Sequence, residues 1–432
     1  MKDIETLKYL ERLRVLGSNY GLERTERLLE LIGNPHKRLK LIHIAGTNGK
    51  GSTSALLGRI LMEHGYKVGY FNSPHLEEIE ETIRINEENI REKDFVSLIN
   101  EIKPYVEQVV EEGFNHPTEF EVLTCLMFLY LYRSNVDFGV IEVGLGGRLD
   151  STNVLTPILS IITSISLDHT NILGNTIEEI TNEKAGIIKS NIPIVTCNQK
   201  EEAMKVIVNK AISSKSELII ANPNNYKFLG INNDVNISQK VSVKIKDKDE
   251  VLNLSLLGKH QIINLSLAIE ALKQLEMLEY INLDINKLKS AAEKVRWNGR
   301  LEVLSKSPYI VVDGAHNISG VEFLKNNLNE YFIYNKLYLI LGILSDKEVE
   351  KMVKVLAPLA TEVYTLTANS VRAEGAEDLR NIVKKYNDNC VAFDDYLDAI
   401  NYAKSKANED DLILASGSLY MIGTLRGIIN NL

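Results

Sequence analysis

Residues Lys40 to Gly65 read KLIHIAGTNGKGSTSALLGRILMEHG. A short apolar run gives way to a glycine-rich turn, and the turn opens an amphipathic stretch ending at Gly65, a residue suited to a helix C-cap. The order is strand, turn, helix. In such a turn backbone N–H groups and the positive end of the helix converge, which is a geometry that binds phosphate. Lys50 adds a point charge for β- and γ-phosphates, and the Ser52 and Thr53 hydroxyls are placed for phosphate or its metal. The spacing departs from GxxxxGK[ST]: Gly46 and Gly49 stand closer together than the pattern's two glycines, and Gly51 follows the lysine. Lysine and hydroxyl set together favour a ligand over a bare tight turn.

Outward from this unit the same alternation continues. VGYF at Val68 to Phe71 is a strand, and helical patterns occupy about Glu92 to Glu112 and Thr118 to Arg133. FGVIEV (138–143) and ILSIITSI (158–165) carry no charge in their cores and read as buried parallel strands. Thr176 to Lys189 reads as helix, followed by the strand IPIVT. Asn222 to Leu257 differs: VSVKIK and LNLSLL alternate, which predicts a small antiparallel patch. Helices follow at His260 to Leu275 and Leu283 to Lys294. From Trp297 the alternation restarts with YIVVDGA, KLYLILG, EVYTLTA, VAF and DLILAS. Strands alternating with helices imply a mainly parallel sheet. The expected fold is α/β. An N-terminal P-loop-type domain, residues 1–296, holds a mainly parallel sheet and the antiparallel patch. A smaller Rossmann-like α/β domain, 297–432, follows.

The 432 residues suit two or three domains, and 44% apolar with 25% charged residues is the balance of a globular chain. A formal charge of -9 excludes bulk attraction to nucleic acid or an anionic membrane surface. Three scattered cysteines, Cys125, Cys197 and Cys390, form no CxxC pair and fit a reducing cytoplasm. The start MKDIETLKYLERL is charged and amphipathic, unlike a signal peptide. The apolar stretch Leu123 to Tyr132 is about half a membrane span.

A bound nucleotide needs a metal, and the metal needs anionic oxygens. Glu142 closes FGVIEV at a strand end, a usual place for a catalytic carboxylate in an open α/β sheet. The following GLGG is no dinucleotide fingerprint, because Leu149 stands where the third glycine belongs. That removes a dehydrogenase. Asp168-His169 ends another strand. On spacing alone, Glu142 and Asp313 read equally as functional or structural, and His169 and His316 as hydrogen-bonded structural histidines.

AGTNGKGS, SPHL (73–76), GLGGRLDSTN, SLDHT, EKAGI, GKHQIIN, RLE, DGAHN and GSLY occur together and in order. The set resembles the folylpolyglutamate synthase/dihydrofolate synthase group of the Mur ligase superfamily, over about Tyr20 to Gly423. The resemblance implies a Mur ligase-like ATP-binding central domain and a C-terminal ligase domain. The implied enzyme joins L-glutamate to a folate, using ATP and Mg²⁺. ATP phosphorylates a carboxylate and the glutamate amine attacks the acyl phosphate. Such chemistry rests on positioning and charge neutralisation.

By resemblance, Asn48, Gly49, Lys50, Gly51 and Ser52 cradle the triphosphate, while Asn264, Arg300 and Asp313 contact the nucleotide. Ser73, Glu142, His169 and Lys184, the last as a carbamate, hold the metal. Lys50, Lys184, Asp313 and His316 serve catalysis. Thr118, Phe120, Leu149, Asp150 and Ser151 lie at the folate. Three residues depart from the pattern: Asn72 for a serine or threonine before SPHL, Asn298 for a proline before GRLE, and Ile318 for a proline after DGAHN. The expected activity is polyglutamylation of reduced folates, with glutamate addition to dihydropteroate as a second activity. A mainly dihydrofolate-synthesising enzyme is the near alternative, and a nucleotide switch the distant one; the switch lacks NKxD and gives no reason for EKAGI or DGAHN. The chain is expected to act as a monomer.

Overall fold

The computed structural model describes residues 4–15, 21–233 and 237–431. Met1 to Asp3 of the charged start, and Tyr20 where the resemblance begins, lie outside the described residues.

Eight strands build the first sheet: β1 (Leu41–Ala45), β2 (Val68–Phe71), β3 (Ile83–Ile85), β4 (Glu88–Asn89), β5 (Phe138–Glu142), β6 (Leu159–Ile162), β7 (Ile194–Thr196) and β8 (Leu218–Ile220). Their order is β4-β3-β2-β5-β1-β6-β7-β8. β2, β5, β1, β6, β7 and β8 run parallel, and β3 and β4 add an antiparallel edge. Every residue of β1, β2, β5 and β6 is buried, as uninterrupted apolar runs require when both sheet faces are covered. Leu41, Phe71 and Ile141 pack with Ile99, Leu126 and Phe128. Ala45, Val143 and Ile162 pack with Ile180, Ile187 and Ile207 in a second core cluster. The apolar stretch Leu123 to Tyr132 lies in the core helix Glu119–Arg133. No helix among the described residues is long and apolar enough to cross a membrane.

β9 (Tyr226–Asn232), β10 (Ser238–Ile245) and β11 (Lys248–Leu254) form the small sheet in the order β11-β10-β9, with β10 and β11 antiparallel as their alternation demands. The third sheet contains β12 (Glu302–Lys306), β13 (Tyr309–Asp313), β14 (Leu337–Leu341), β15 (Glu362–Thr365), β16 (Cys390–Ala392) and β17 (Leu412–Ser416). Its order is β12-β13-β17-β14-β15-β16, parallel except for the edge strand β12.

Two compact units result, and they interleave along the chain. The first comprises Met1–His75, Ile79–Tyr226 and Ile263–Lys294; the second comprises Leu76–Glu78, Lys227–Ile262 and Val295–Leu432. A continuous division at 296/297 assigns the antiparallel patch to the N-terminal part, whereas by contacts it groups with the second unit. The helix expected over 176–189 is shorter, Ile177–Ala185. A Thr176/Glu179 capping box starts it. It stops at Gly186, where an added Cβ would lie 2.4 Å from Arg148 Cα, so backbone approach fixes its end.

Candidate active site

β1 delivers the chain to Gly46, and the helix Lys50–Glu63 leaves from Gly49. Gly49 has φ +91°, and a Cβ there would fall 2.2 Å from Asn264 Oδ1. Gly46 is closed in as tightly: its Cβ would meet Thr163 Oγ1. The turn needs glycine at both positions because neighbouring groups occupy the space a side chain would take. The Thr47 and Asn48 amides donate to Ser164 O at 3.0 and 3.2 Å, fixing the turn to the segment after β6. Thr47 Oγ1 donates to Ser166 O at 3.0 Å.

Lys50 Nζ donates to Gly46 O and Thr47 O, each at 3.3 Å, and stands 3.9 Å from Glu142 Oε1. Glu142 is buried at the end of β5, level with Ile44 of β1. Lys184 is also buried, and its Nζ donates to Gly46 O at 2.9 Å. Burial pulls the Lys184 amine down to about 7 and the Lys50 charge adds to the shift, with Asp168 and Asp150 opposing it. Two lysines and a carboxylate from three parts of the chain thus meet at one turn. Ser52 is buried in the first helical turn, and Asn264 reaches Gly49 from the helix Lys259–Met277.

Ser73 follows Asn72, whose Nδ2 donates to Glu142 Oε2 at 2.9 Å. His169 has φ +50° and opens the short helix Thr170–Leu173. Its backbone N–H donates to Asp168 Oδ1 at 2.9 Å, and its ring is about one third exposed. Among the described residues no three His, Cys, Asp or Glu side chains gather as a metal cage. One buried carboxylate suits a magnesium ion that takes its other ligands from phosphate and water.

The residues expected at the folate gather around the start of the helix Glu119–Arg133 and the loop 144–153. Most have structural partners there. Thr118 and Glu121 form a capping box, and Glu121 also pairs with Arg24 at 2.8 Å, both side chains buried. Phe120 stacks on Phe71 at 5.5 Å and fills the place of a Cβ on Gly144. Asp150 accepts from Leu145 N at 2.8 Å and Thr152 N at 3.0 Å; burial still pushes its carboxyl above the usual range. Ser151 Oγ lies 2.8 Å from Thr124 Oγ1, and Leu149 is half-buried.

In the second unit, Asp313 ends β13 and accepts from Leu301 N at 2.8 Å and Ala315 N at 2.9 Å. Burial raises its carboxyl while Arg300 works against the rise. The Arg300 guanidinium occupies the room left by the missing side chain of Gly314. His316 Nδ1 lies 2.8 Å from Gly314 O. A carbonyl only accepts, so Nδ1 carries the hydrogen and Nε2 is the acceptor of the neutral ring.

Sequence reasoning missed the roles of Asn72, Arg84 and Gln199. Arg84 Nη2 donates to Asn72 Oδ1 at 3.3 Å. Gln199 donates to Thr163 O at 3.0 Å and accepts from Ile165 N at 3.1 Å, bracing the segment on which the phosphate turn rests. Asn72 had a signal, its departure from the usual residue before SPHL. Arg84 and Gln199 had none.

Comparison with known proteins extends over the whole chain. Residues 44–272 match the Mur ligase middle domain and residues 299–419 the Mur ligase glutamate ligase domain. The chain is 37% identical over 412 residues to the dihydrofolate synthase/folylpolyglutamate synthase of Bacillus subtilis (strain 168), covering 95% of each. The Mycobacterium tuberculosis folylpolyglutamate synthase complexed with ADP and AMPPCP superposes with a TM-score of 0.87 at 28% identity, covering 98% of both chains. Escherichia coli FolC in complex with DHPP and ADP gives 0.85 at 27% identity, covering 100% of this chain and 98% of its own.

Proposed function

Since the chain belongs to the dihydrofolate synthase/folylpolyglutamate synthase family of Mur ligases, we propose that it joins L-glutamate to a folate using ATP, chiefly as a folylpoly-γ-glutamate synthase. The observation that carries the reading is the meeting of Lys50, Glu142 and Lys184 at the Gly46–Ser52 turn. Asn48 to Ser52 offer amides and a helix start to the triphosphate, and Lys50 places its charge where negative charge moves during phosphoryl transfer. Asn264, which lies against Gly49, serves the nucleotide from the same side. The γ-phosphoryl group passes to the folate carboxylate, the glutamate amine attacks the acyl carbon, and phosphate leaves as the amide forms.

Ser73, Glu142, His169 and Lys184 are the residues we assign to Mg²⁺. When bound, the ion neutralises charge on the phosphate oxygens and orients them. Lys184 in carbamate form supplies oxygens in place of a cation, and its weakly held proton favours that form. In the second unit we assign Arg300 and Asp313 to the nucleotide. His316 Nε2 is assigned as acceptor of a proton from the incoming amine. Thr118, Phe120, Leu149, Asp150 and Ser151 are assigned to the folate as a scaffold more than as direct contacts, since most already hold structural partners.

The test incubates the protein with ATP, Mg²⁺ and glutamate, and with either tetrahydrofolate or dihydropteroate. Mass spectrometry should show products heavier by successive glutamyl residues, with phosphate released only when acid and amine are both present. Phosphate release without either acceptor would mark a nucleotide switch and overturn the reading. Product from dihydropteroate alone would assign a dihydrofolate synthase.

A further inference from the structure

Asn72 directly follows β2, precedes Ser73 and is buried. Its Nδ2 donates twice, to Glu142 Oε2 at 2.9 Å and to Ser54 Oγ at 3.1 Å, and its Oδ1 accepts from Arg84 Nη2 at 3.3 Å. A guanidinium only donates and an ionised carboxylate only accepts, so the two neighbours fix which way the amide faces. Ser54 belongs to the helix that the phosphate turn opens, so one amide ties the carboxylate to that helix. With Oε2 held by Asn72, Oε1 is the Glu142 oxygen near Lys50. A serine or threonine at this place has a single hydroxyl hydrogen and cannot serve both acceptors at once.

We propose that Asn72 is a positioning residue for the metal site, its amide holding the Glu142 carboxylate so that Oε1 is presented at the phosphate turn. This rests on the metal role given to Glu142 above. Ligating carboxylates are commonly oriented by such partners, and losing one typically weakens metal binding about 10–100-fold.

The probe is Mn²⁺ titrated into the protein with ADP, with free Mn²⁺ read by its electron paramagnetic resonance signal. Asn72→Leu keeps bulk and removes the amide. It should weaken Mn²⁺ binding about 10–100-fold, while ADP affinity in EDTA and the melting temperature stay close to wild type. Asn72→Ala gives the same reading if the leucine variant does not fold. Ser54→Ala removes only the other acceptor and should leave Mn²⁺ affinity unchanged. Wild-type Mn²⁺ affinity in the Asn72 variants, or an equal loss in Ser54→Ala, would overturn the proposal and leave Asn72 a packing residue. Failure of the metal assignment itself looks different: the wild-type protein would then hold Mn²⁺ no more tightly than ADP does alone.

Discussion

A lysine amine shut away from water beside the Gly46 carbonyl holds its proton weakly, and carbamate formation requires just such a neutral nitrogen. The nitrogen attacks carbon dioxide, an N–C bond forms and one proton leaves. Lys184→Arg keeps a cation and cannot form the carbamate, so it should be nearly inactive with an unchanged melting temperature. Lys184→Ala should be inactive too, and small carboxylic acids should restore part of its activity by occupying the vacated place. Substantial turnover in the arginine variant would show that Lys184 works as a cation. Lys50→Ala acts through charge on the transferring phosphoryl group and should lower kcat by about 10²-fold or more at saturating ATP. The two lysines were not equally legible. Lys50 announces itself by standing in a glycine turn before a hydroxyl. Lys184 in EKAGI reads from periodicity as a solvated helix lysine, because its burial comes from Gly46, 138 positions away. Only the family motif marked it. Asn72 lay between these cases: the sequence flagged its type, but its bond to Glu142 is a contact across 70 positions that no local pattern encodes.

Both ends of the helix Lys50–Glu63 are closed by glycine in the left-handed region, Gly49 at φ +91° and Gly65 at φ +94°, yet their surroundings differ. A Cβ on Gly49 would press on Asn264 Oδ1, whereas one on Gly65 would meet nothing within 4 Å. Either alanine pays a backbone cost of about 1–2 kcal/mol. Gly49→Ala must also displace Asn264 or the helix start, and should weaken ATP binding at least about tenfold on top of that destabilisation. Gly65→Ala should lower stability alone, with ATP affinity unchanged by calorimetry. Equal ATP affinity in the two variants would refute the role given to the Gly49–Asn264 contact. The elements themselves divide by burial. β1, β2, β5 and β6 were legible because a strand covered on both faces must be apolar throughout. β3, β4, β8 and β12 escaped notice: they are two to five residues long, sit at or near sheet edges and are half-exposed, so no alternation develops. The helix over 176–189 was read too long because its end is set by the Gly186–Arg148 approach, a tertiary event.

At the scale of the whole molecule, the two units have separate cores: the first buries His43 in β1, and the second holds His260 half-buried. The interleaving of these units was invisible in the sequence, since alternation in VSVKIK reveals a strand but not which core receives it. His43 Nε2 meets Thr152 Oγ1 at 2.9 Å, and burial, with Lys189 adding to it, holds its ring down to about 3. Burial, with Arg300 adding to it, holds His260 down to about 4. Both folded values lie below the ordinary 6.5, so the unfolded chain binds protons that the folded chain refuses. Stability is therefore unaffected well above pH 6.5 and falls as pH drops through it, by about 1.4 kcal/mol per pH unit for each histidine once the unfolded ring is charged. Asp150 and Asp313 act with the opposite sign, because their folded carboxyls take up protons before the unfolded ones do. Their influence grows towards the acid range, so the measurement belongs between pH 7.5 and 5.5. Urea midpoints read by circular dichroism should decline across that window, and His43→Gln should flatten the decline by up to one proton. The single tryptophan, Trp297, lies in the second unit and reports on it by fluorescence, so His260→Gln should flatten the transition seen there. Midpoints that stay constant from pH 7.5 to 5.5 would mean that both rings protonate in the folded protein, and that their surroundings do not exclude charge.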